Sequence, residues 1–447
     1  MNGWTIRLAV CFLAALAPLA GRADAPLRAR RTVLPNGLTV IAVEDPSLPT
    51  VAYYTLFRVG SRNERPGITG LSHLFEHMMF NGSAKFPPKA FDRLIEAGGG
   101  YSNAGTGPDD TEYYEEFSTA TLDDVLRLEA DRMRALRLDR ANLEQERAIV
   151  KEERRSSSED SIEGAMSELL WAGAFLAHPY RWPVIGTMAD LDAIRLDDAR
   201  AFFRTYYAPN NAVVVVVGDV RADTLFRCMR SLFGTIPRGP TPPRVVNAET
   251  PQRGERRLEL RRPAELPAVL MGYKVVSFLH KDDAALDVLS IILSQGESSR
   301  LYRALVAERR VATSVWASND SRLDGGLFTI WAQAQAGRTS AECETAVGEV
   351  LADVISNGVT EREVEKARNA LRSRLATAMA TNIGRARLLA QAEVYRGSWR
   401  RYGEYLAQRE RVTPADVQRV ARAYLTTLRR TSVILVPTPP PAQEAAR

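Results

Sequence analysis

Two of the chain's four histidines stand four residues apart in HLFEH, residues 73 to 77, with a glutamate directly before the second. On a helix, positions i and i+4 project from one face, one turn apart. His73 and His77 are so placed, and neutral imidazoles are good zinc ligands. Glu76 lies beside the same face, close enough to reach a water next to such a metal without binding the metal. Zinc brings the pKa of such a water down to about 7. A carboxylate can then take the proton as water attacks a peptide carbonyl, and later hand it to the leaving amine. The H-x-x-E-H order inverts the commoner H-E-x-x-H arrangement. The competing reading is a pair of surface histidines on an amphipathic helix that packs through Leu71, Leu74, Met78 and Met79.

A catalytic zinc wants a third protein ligand and an open fourth position. The best source is LEQERAIVKEERR, 143 to 155. Glu146 and Glu153 are seven apart, two helical turns, so both face the same way. Ile149 and Val150 between them mark that face as the buried one. Two carboxylates there are costly unless a cation meets them. Glu144 and Glu152 are out of register and read as solvated. Spacing does not choose between Glu146 and Glu153 as the ligand. His178 precedes a proline without a sequence partner and reads as structural or surface, as does His280. Ser298, Ser299 and Arg300 have no histidine or acid beside them to make a nucleophile.

The elements that must position these groups follow from patterning. RTVLPNGLTVIAVED, 31 to 45, is a hairpin about Pro35-Asn36-Gly37, and 51 to 61 is a further strand. Residues 70 to 79 form the HLFEH helix, capped by Thr69 and stopped at Asn81-Gly82. Helices follow at 88–97, 121–136, 139–155 and 197–207, then a buried strand, AVVVVVGD, at 212–219. Proline and glycine thicken over 237–254, the expected linker. Beyond it the order of elements begins again. LDDARAFFRTYYAPNNAVVVVVGD, 196 to 219, is echoed by PADVQRVARAYLTTLRRTSVILVP, 414 to 437. An internal duplication of an α+β unit explains the echo. The second copy has a helix pair at 282–308 without a histidine pair. The expected domains are 26–236, carrying the metal, and 255–437, without it.

Composition narrows the class. Hydrophobic content of 45% and charged content of 25% are those of a soluble globular protein. A net charge of +5 on 59 basic and 54 acidic side chains, with no basic tract, argues against nucleic acid. Arg7 followed by LAVCFLAALAPLAG, 8 to 21, and the small residues Ala23 and Ala25 read as a secretory signal peptide over 1–25. Export is therefore expected, to the periplasm if the source is Gram-negative. No later stretch reaches the ~20 apolar residues of a membrane span. Cys228 and Cys343 are either a bridge or two free buried thiols. The tail, 438–447, has no core-forming residues and reads as disordered.

With these motifs in order, the chain resembles the pitrilysin/insulinase family of inverted-motif zinc peptidases, in the branch of bacterial peptidases similar to mitochondrial processing peptidase. HLFEH, NAGTGPDDTEY (103–113), ERAIVKEE (146–153), HPYRWPVIG (178–186) and GESSRLY (296–302) carry the resemblance over almost the whole mature chain. It implies two α+β domains, each a mostly antiparallel sheet with helices on one face, enclosing a substrate cavity. It implies Zn2+ on His73, His77 and Glu153, with Glu76 as general base and Glu146 as the outer carboxylate supporting the site. It implies that Asn103 and Ala104 bind the backbone of an extended or unfolded peptide as an added strand; residue chemistry alone makes them an ordinary turn and strand. One departure stands out. Val306 and Thr313 occupy the positions of an arginine and a tyrosine that self-sufficient members use to hold substrate. A homologous, non-identical subunit supplying that pair is therefore expected. The rivals are a non-catalytic scaffold subunit and a zinc- or peptide-binding protein.

Overall fold

AVVVVVG, residues 212 to 218, has no polar face, so both sides of the strand it forms must be covered. In a computed structural model, which describes residues 27–439, that strand lies inside a six-stranded sheet with every residue buried. The expected leader and all but the first two residues of the expected tail lie outside the described residues.

The first half contributes β1 (Ala29–Val33), β2 (Thr39–Glu44), β3 (Thr50–Phe57), β4 (Tyr101–Thr106), β5 (Thr111–Ser118) and β6 (Ala212–Gly218). Its helices are α1 (Leu71–Met78), α2 (Ala90–Ala97), α3 (Leu122–Ala135), α4 (Arg140–Arg154), α5 (Ile162–Ala174), α6 (Met188–Ala193), α7 (Leu196–Tyr206) and α8 (Ala222–Phe233). The second half contributes β7 (Arg256–Pro263), β8 (Ala268–Val275), β9 (Ala312–Asp320), β10 (Gly326–Ala334) and β11 (Arg430–Thr438). Its helices are α9 (Asp283–Ser294), α10 (Ser340–Asn357), α11 (Glu361–Met379), α12 (Asn382–Arg396), α13 (Glu404–Glu410) and α14 (Pro414–Tyr424).

The strand orders are β1-β2-β6-β3-β5-β4 and β7-β11-β8-β10-β9. β2 runs parallel to β6, and β7 to β11; every other pairing is antiparallel. Without β1 the two sheets share one topology. The two echoing stretches fold as α7–β6 and α14–β11, at the same place in each copy. Mixed α+β structure in two related domains is therefore what the chain adopts. β11 runs on to Thr438, which pairs with Pro263, so the strand reaches one residue past the expected boundary.

Helices cover mainly one face of each sheet, but the other face is not bare. Ala386, Leu389 and Ala390 of α12 lie on Ile41, Leu56, Val213 and Val215 of the first sheet. Reciprocally, Met166, Leu170 and Trp171 of α5 lie on Leu270, Trp331 and Val433 of the second. Each half thus lends one helix to the other, and the two lent helices hold equivalent places in chain order. The linker has no regular structure, yet it is fastened. Glu249 accepts the N–H groups of Leu176, Ala177 and His178 at 2.8–3.1 Å and the Lys274 ammonium at 2.9 Å.

Two local expectations change. Thr69 does not cap α1; its hydroxyl donates to Asp190 instead. The cap is the buried Glu64 carboxylate, which accepts Gly70 N–H at 2.8 Å and Ser72 N–H at 2.7 Å. The reason is steric. The chain enters α1 with Gly70 at φ +90°, against Gly186 at φ +81°. A Cβ on Gly70 would sit 2.5 Å from Ile185 O, and one on Gly186 2.3 Å from Thr69 O. In the second half, the partner of α9 is a π-helical stretch, Tyr302–Glu308, rather than an α-helix.

Candidate metal centre and substrate edge

α1 buries Leu71, Leu74, Phe75 and Met78 completely. Tyr113 of β5 holds it from below, donating to Phe75 O at 3.2 Å. That face fixed, His73, Glu76 and His77 turn toward α4 and β4. The His73 and His77 rings lie 5.0 Å apart. His73 Nε2 is 3.6 Å from Glu153 Oε1, and His77 Nε2 is 3.3 Å from Glu153 Oε2. One ligand atom from each of the three residues falls within 4.8 Å of the others, and this is the one such group of metal-ligating side chains among the described residues.

Glu146 faces the other edge of His77, with Oε2 3.4 Å from Nδ1, and its Oε1 accepts from Asn81 Nδ2 at 2.7 Å. A proton on Nδ1 satisfies Glu146 and leaves a lone pair on Nε2, aimed at a carboxylate. Hydrogen bonding to Glu146 raises the His77 pKa, whereas burial lowers that of His73. Burial pushes the Glu146 carboxyl up, but the hydrogen bonds from His77 and Asn81 outweigh it and hold it below the usual range. Lone pairs and a carboxylate converging without a lysine or arginine among them suit a dication. Two imidazoles, one carboxylate and an open side are the donor set of a catalytic zinc.

The expectation about α4 is half right. Val150 is fully buried and Glu146 5% exposed, but Ile149 is 46% exposed. Glu153 is in the last turn, with its side chain 43% exposed, so it reaches the centre from an open side. Glu144 and Glu152 face solvent, paired with Arg147 and Arg155.

β4 is the edge strand of the first sheet, paired only with β5. Asn103 and Ala104 lie on it, opposite Tyr114 and Tyr113. Its free edge suits an added strand, although the Ala104 N–H already donates to Asn103 Oδ1 at 2.8 Å. At the end of β4, Thr106 donates its hydroxyl to Glu76 Oε2 at 2.6 Å. Sequence reasoning passed over Thr106 and gave Asn81 only the role of a stop. The threonine within NAGTGPDDTEY, a segment that carries the family resemblance, was the available signal for the first.

His178 is 3% exposed and structural, with Nε2 3.1 Å from Asp324 Oδ2. His280 lies beside Asp282. Ser298 accepts from Lys366, and Arg300 is paired with Glu363 and Asp353. Cys228 and Cys343 are free, packed in the separate cores of the two halves. No helix among the described residues is long and apolar enough to cross a membrane.

Residues 39–188 match the family described as Insulinase (Peptidase family M16), and residues 193–371 match the Peptidase M16 inactive domain. A zinc protease of Helicobacter pylori, PqqE, is 32% identical over 414 residues, covering 90% of this chain and 92% of that one. The chain belongs to peptidase family M16. An uncharacterised zinc protease of Mycobacterium leprae is 31% identical over 88% of this chain and 89% of its own length. The crystal structure of a protease from Helicobacter pylori superposes with a TM-score of 0.88 at 30% identity, over 92% of this chain and 100% of that one. A peptidase M16 inactive domain from Pseudomonas fluorescens, 20% identical with a TM-score of 0.83 over 92% of this chain and 99% of that one, shares the fold. In this M16 chain HLFEH, NAGT and ERAIVKEE all fall in the first matched stretch. The second match begins at 193, ahead of α7 and of β6, a strand of the first sheet.

Proposed function

We propose that this M16 chain is an exported zinc endopeptidase that hydrolyses extended or unfolded peptides. The observation that carries the reading is the convergence of His73 Nε2 and His77 Nε2 on the two oxygens of Glu153. Zinc held by these three residues supplies the Lewis acidity that makes water a usable nucleophile near neutral pH. The chain's own groups do the rest. The edge of β4, at Asn103 and Ala104, takes the peptide backbone and fixes its register. Glu76, with Oε2 occupied by the Thr106 hydroxyl, keeps Oε1 to accept the proton of the attacking water and return it to the leaving amine. Glu146 fixes the tautomer of His77 and is itself held by Asn81.

The test is a pair of measurements on Glu76→Gln, prepared without chelators. Zinc content stays at the wild-type level while cleavage of fluorescein-labelled casein falls by about 10²–10⁴. A zinc-binding or scaffold protein is indifferent to the change, and wild-type protein free of metal removes the basis of the reading.

The full enzyme includes a second, non-identical subunit. Val306 is half-buried beside the second core, and Thr313 is exposed with its hydroxyl on Gln333. Neither can offer a substrate a cation or a phenol. Full casein turnover by the purified chain, as monomer or homodimer, overturns this part alone.

A further inference from the structure

The hairpin that carries Asn103, Ala104 and Thr106 ends in three acidic side chains, and the second half of the chain meets each one. Asp109 Oδ2 accepts the N–H of Leu323, in the β9–β10 turn, at 3.0 Å. Asp110 Oδ2 accepts from the Tyr395 hydroxyl at 2.6 Å. Glu112 accepts two hydrogen bonds from Arg387, at 2.6 and 3.0 Å. Tyr395 and Arg387 both stand on α12, the helix lent to the first sheet.

Asp109 is also held within its own half. Its Oδ1 accepts from the Tyr180 hydroxyl at 2.6 Å and from Arg62 at 3.3 Å. Tyr180 Oη accepts the N–H of Asp324 at 3.1 Å. The Asp324 carboxylate is 3.1 Å from both His178 Nε2 and Arg62. His178 Nδ1 accepts the Tyr180 N–H, so the ring proton lies on Nε2 and points at Asp324. Two motifs that are far apart in sequence, NAGTGPDDTEY and HPYRWPVIG, thus meet at one node with the β9–β10 turn. The β4–β5 turn has little room to drift: a Cβ on Gly60 would sit 2.4 Å from Gly107 O.

Thr106 is the last residue of β4 before that turn, and it holds Glu76. A shift at the turn is therefore passed both to the free edge and to the carboxylate. We propose that Asp109, Asp110 and Glu112 are positioning residues through which the second half sets the β4 edge and, by way of Thr106, the Glu76 carboxylate. The catalytic meaning of this rests on the peptidase reading; the docking of the hairpin does not.

The experiment uses the full zinc-loaded chain carrying Asp109→Asn with Tyr395→Phe, and separately Arg387→Gln. Amide exchange across Tyr101–Thr106 speeds up by about tenfold while β2 exchange and zinc content stay at wild-type values. The kcat for labelled casein falls by about tenfold to a hundredfold, with KM changed less. Arg387→Lys keeps the charge but not the two-point contact, and so restores part of the loss caused by Arg387→Gln. Unchanged β4 exchange, equal loosening of β2, or a kcat that falls only in step with zinc loss each overturn the proposal. Should the double variant not fold, Arg387→Gln, at a side chain 39% exposed, gives the same readouts. A wild-type chain that leaves casein intact even with its homologous subunit added counts against the peptidase reading; the exchange result then decides the docking by itself.

Discussion

Helices α1 and α9 hold equivalent places in the two halves, after β3 and after β8, and each directs an i, i+4 pair at a partner element. In α1 the pair is His73 and His77, facing the Glu153 carboxylate. In α9 it is Asp283 and Asp287, and both accept from Arg409 of α13 at 2.7 Å. Arg409 is 2% exposed, and Asn319 satisfies a further oxygen of each aspartate. The second copy therefore tethers its positive charge to the chain, whereas the first gathers only acceptors. Both copies carry an i, i+4 pair on equivalent helices; an arginine of the chain itself makes one a structural knot, and the absence of such a cation among the described residues leaves the other free for the proposed metal.

The sharpest way to break this contrast is His77→Phe. Zinc, measured by elemental analysis, drops from about one equivalent to near zero, and casein cleavage falls by at least the 10²–10⁴ that a single catalytic group supplies. The matching change in the other copy is Arg409→Met. It leaves the buried Asp283 and the half-buried Asp287 without their cation and lowers stability by about 3–5 kcal/mol, read as a shift in the urea midpoint. Zinc content should not follow it; if it does, the Arg409 knot supports the metal site as well as the second core.

Leu389→Ala tests the seam between the copies. Leu389 is fully buried, so the cavity costs about 2–5 kcal/mol. Both sheets should loosen in one transition, because α12 belongs to the second half and covers the first. The smallest effect belongs to the linker. Burial raises the Glu249 carboxyl, but Lys274 and three backbone N–H groups pull it down to about 2. Its folded pKa lies below its unfolded value of about 4.3, so its contribution is present above that value and is lost as pH falls toward 2. Glu249→Gln removes this part of the acid dependence and flattens the stability curve between about pH 4.3 and 2. An unchanged acid limb in the variant means that the carboxylate fastens nothing.

Much of this was legible because the decisive residues are local. HLFEH on one helix, two glutamates seven apart on the next, and an unbroken valine strand each announce their geometry over a few residues. Long-range effects were not. Glu64 caps α1 from six residues before the cap position, where no cap rule looks. Ile149 looked like a core residue, but α4 turns it to solvent. α12 meets the valine strand largely through small residues, Ala386 and Ala390 with Leu389 between, a weak stripe that gives no sign of its target. The node at Asp109 needed three distant segments, and no periodicity links them.

The traded helices have a consequence for how the molecule is made. A ribosome delivers the first sheet long before α12 emerges, so Ile41, Leu56, Val213 and Val215 stay uncovered during that interval. Nascent chains should depend on a chaperone or on staying unfolded until synthesis ends, which is compatible with the proposed export. Expressing residues 27–236 by themselves should yield aggregates, and supplying the remaining segment in trans should dissolve them.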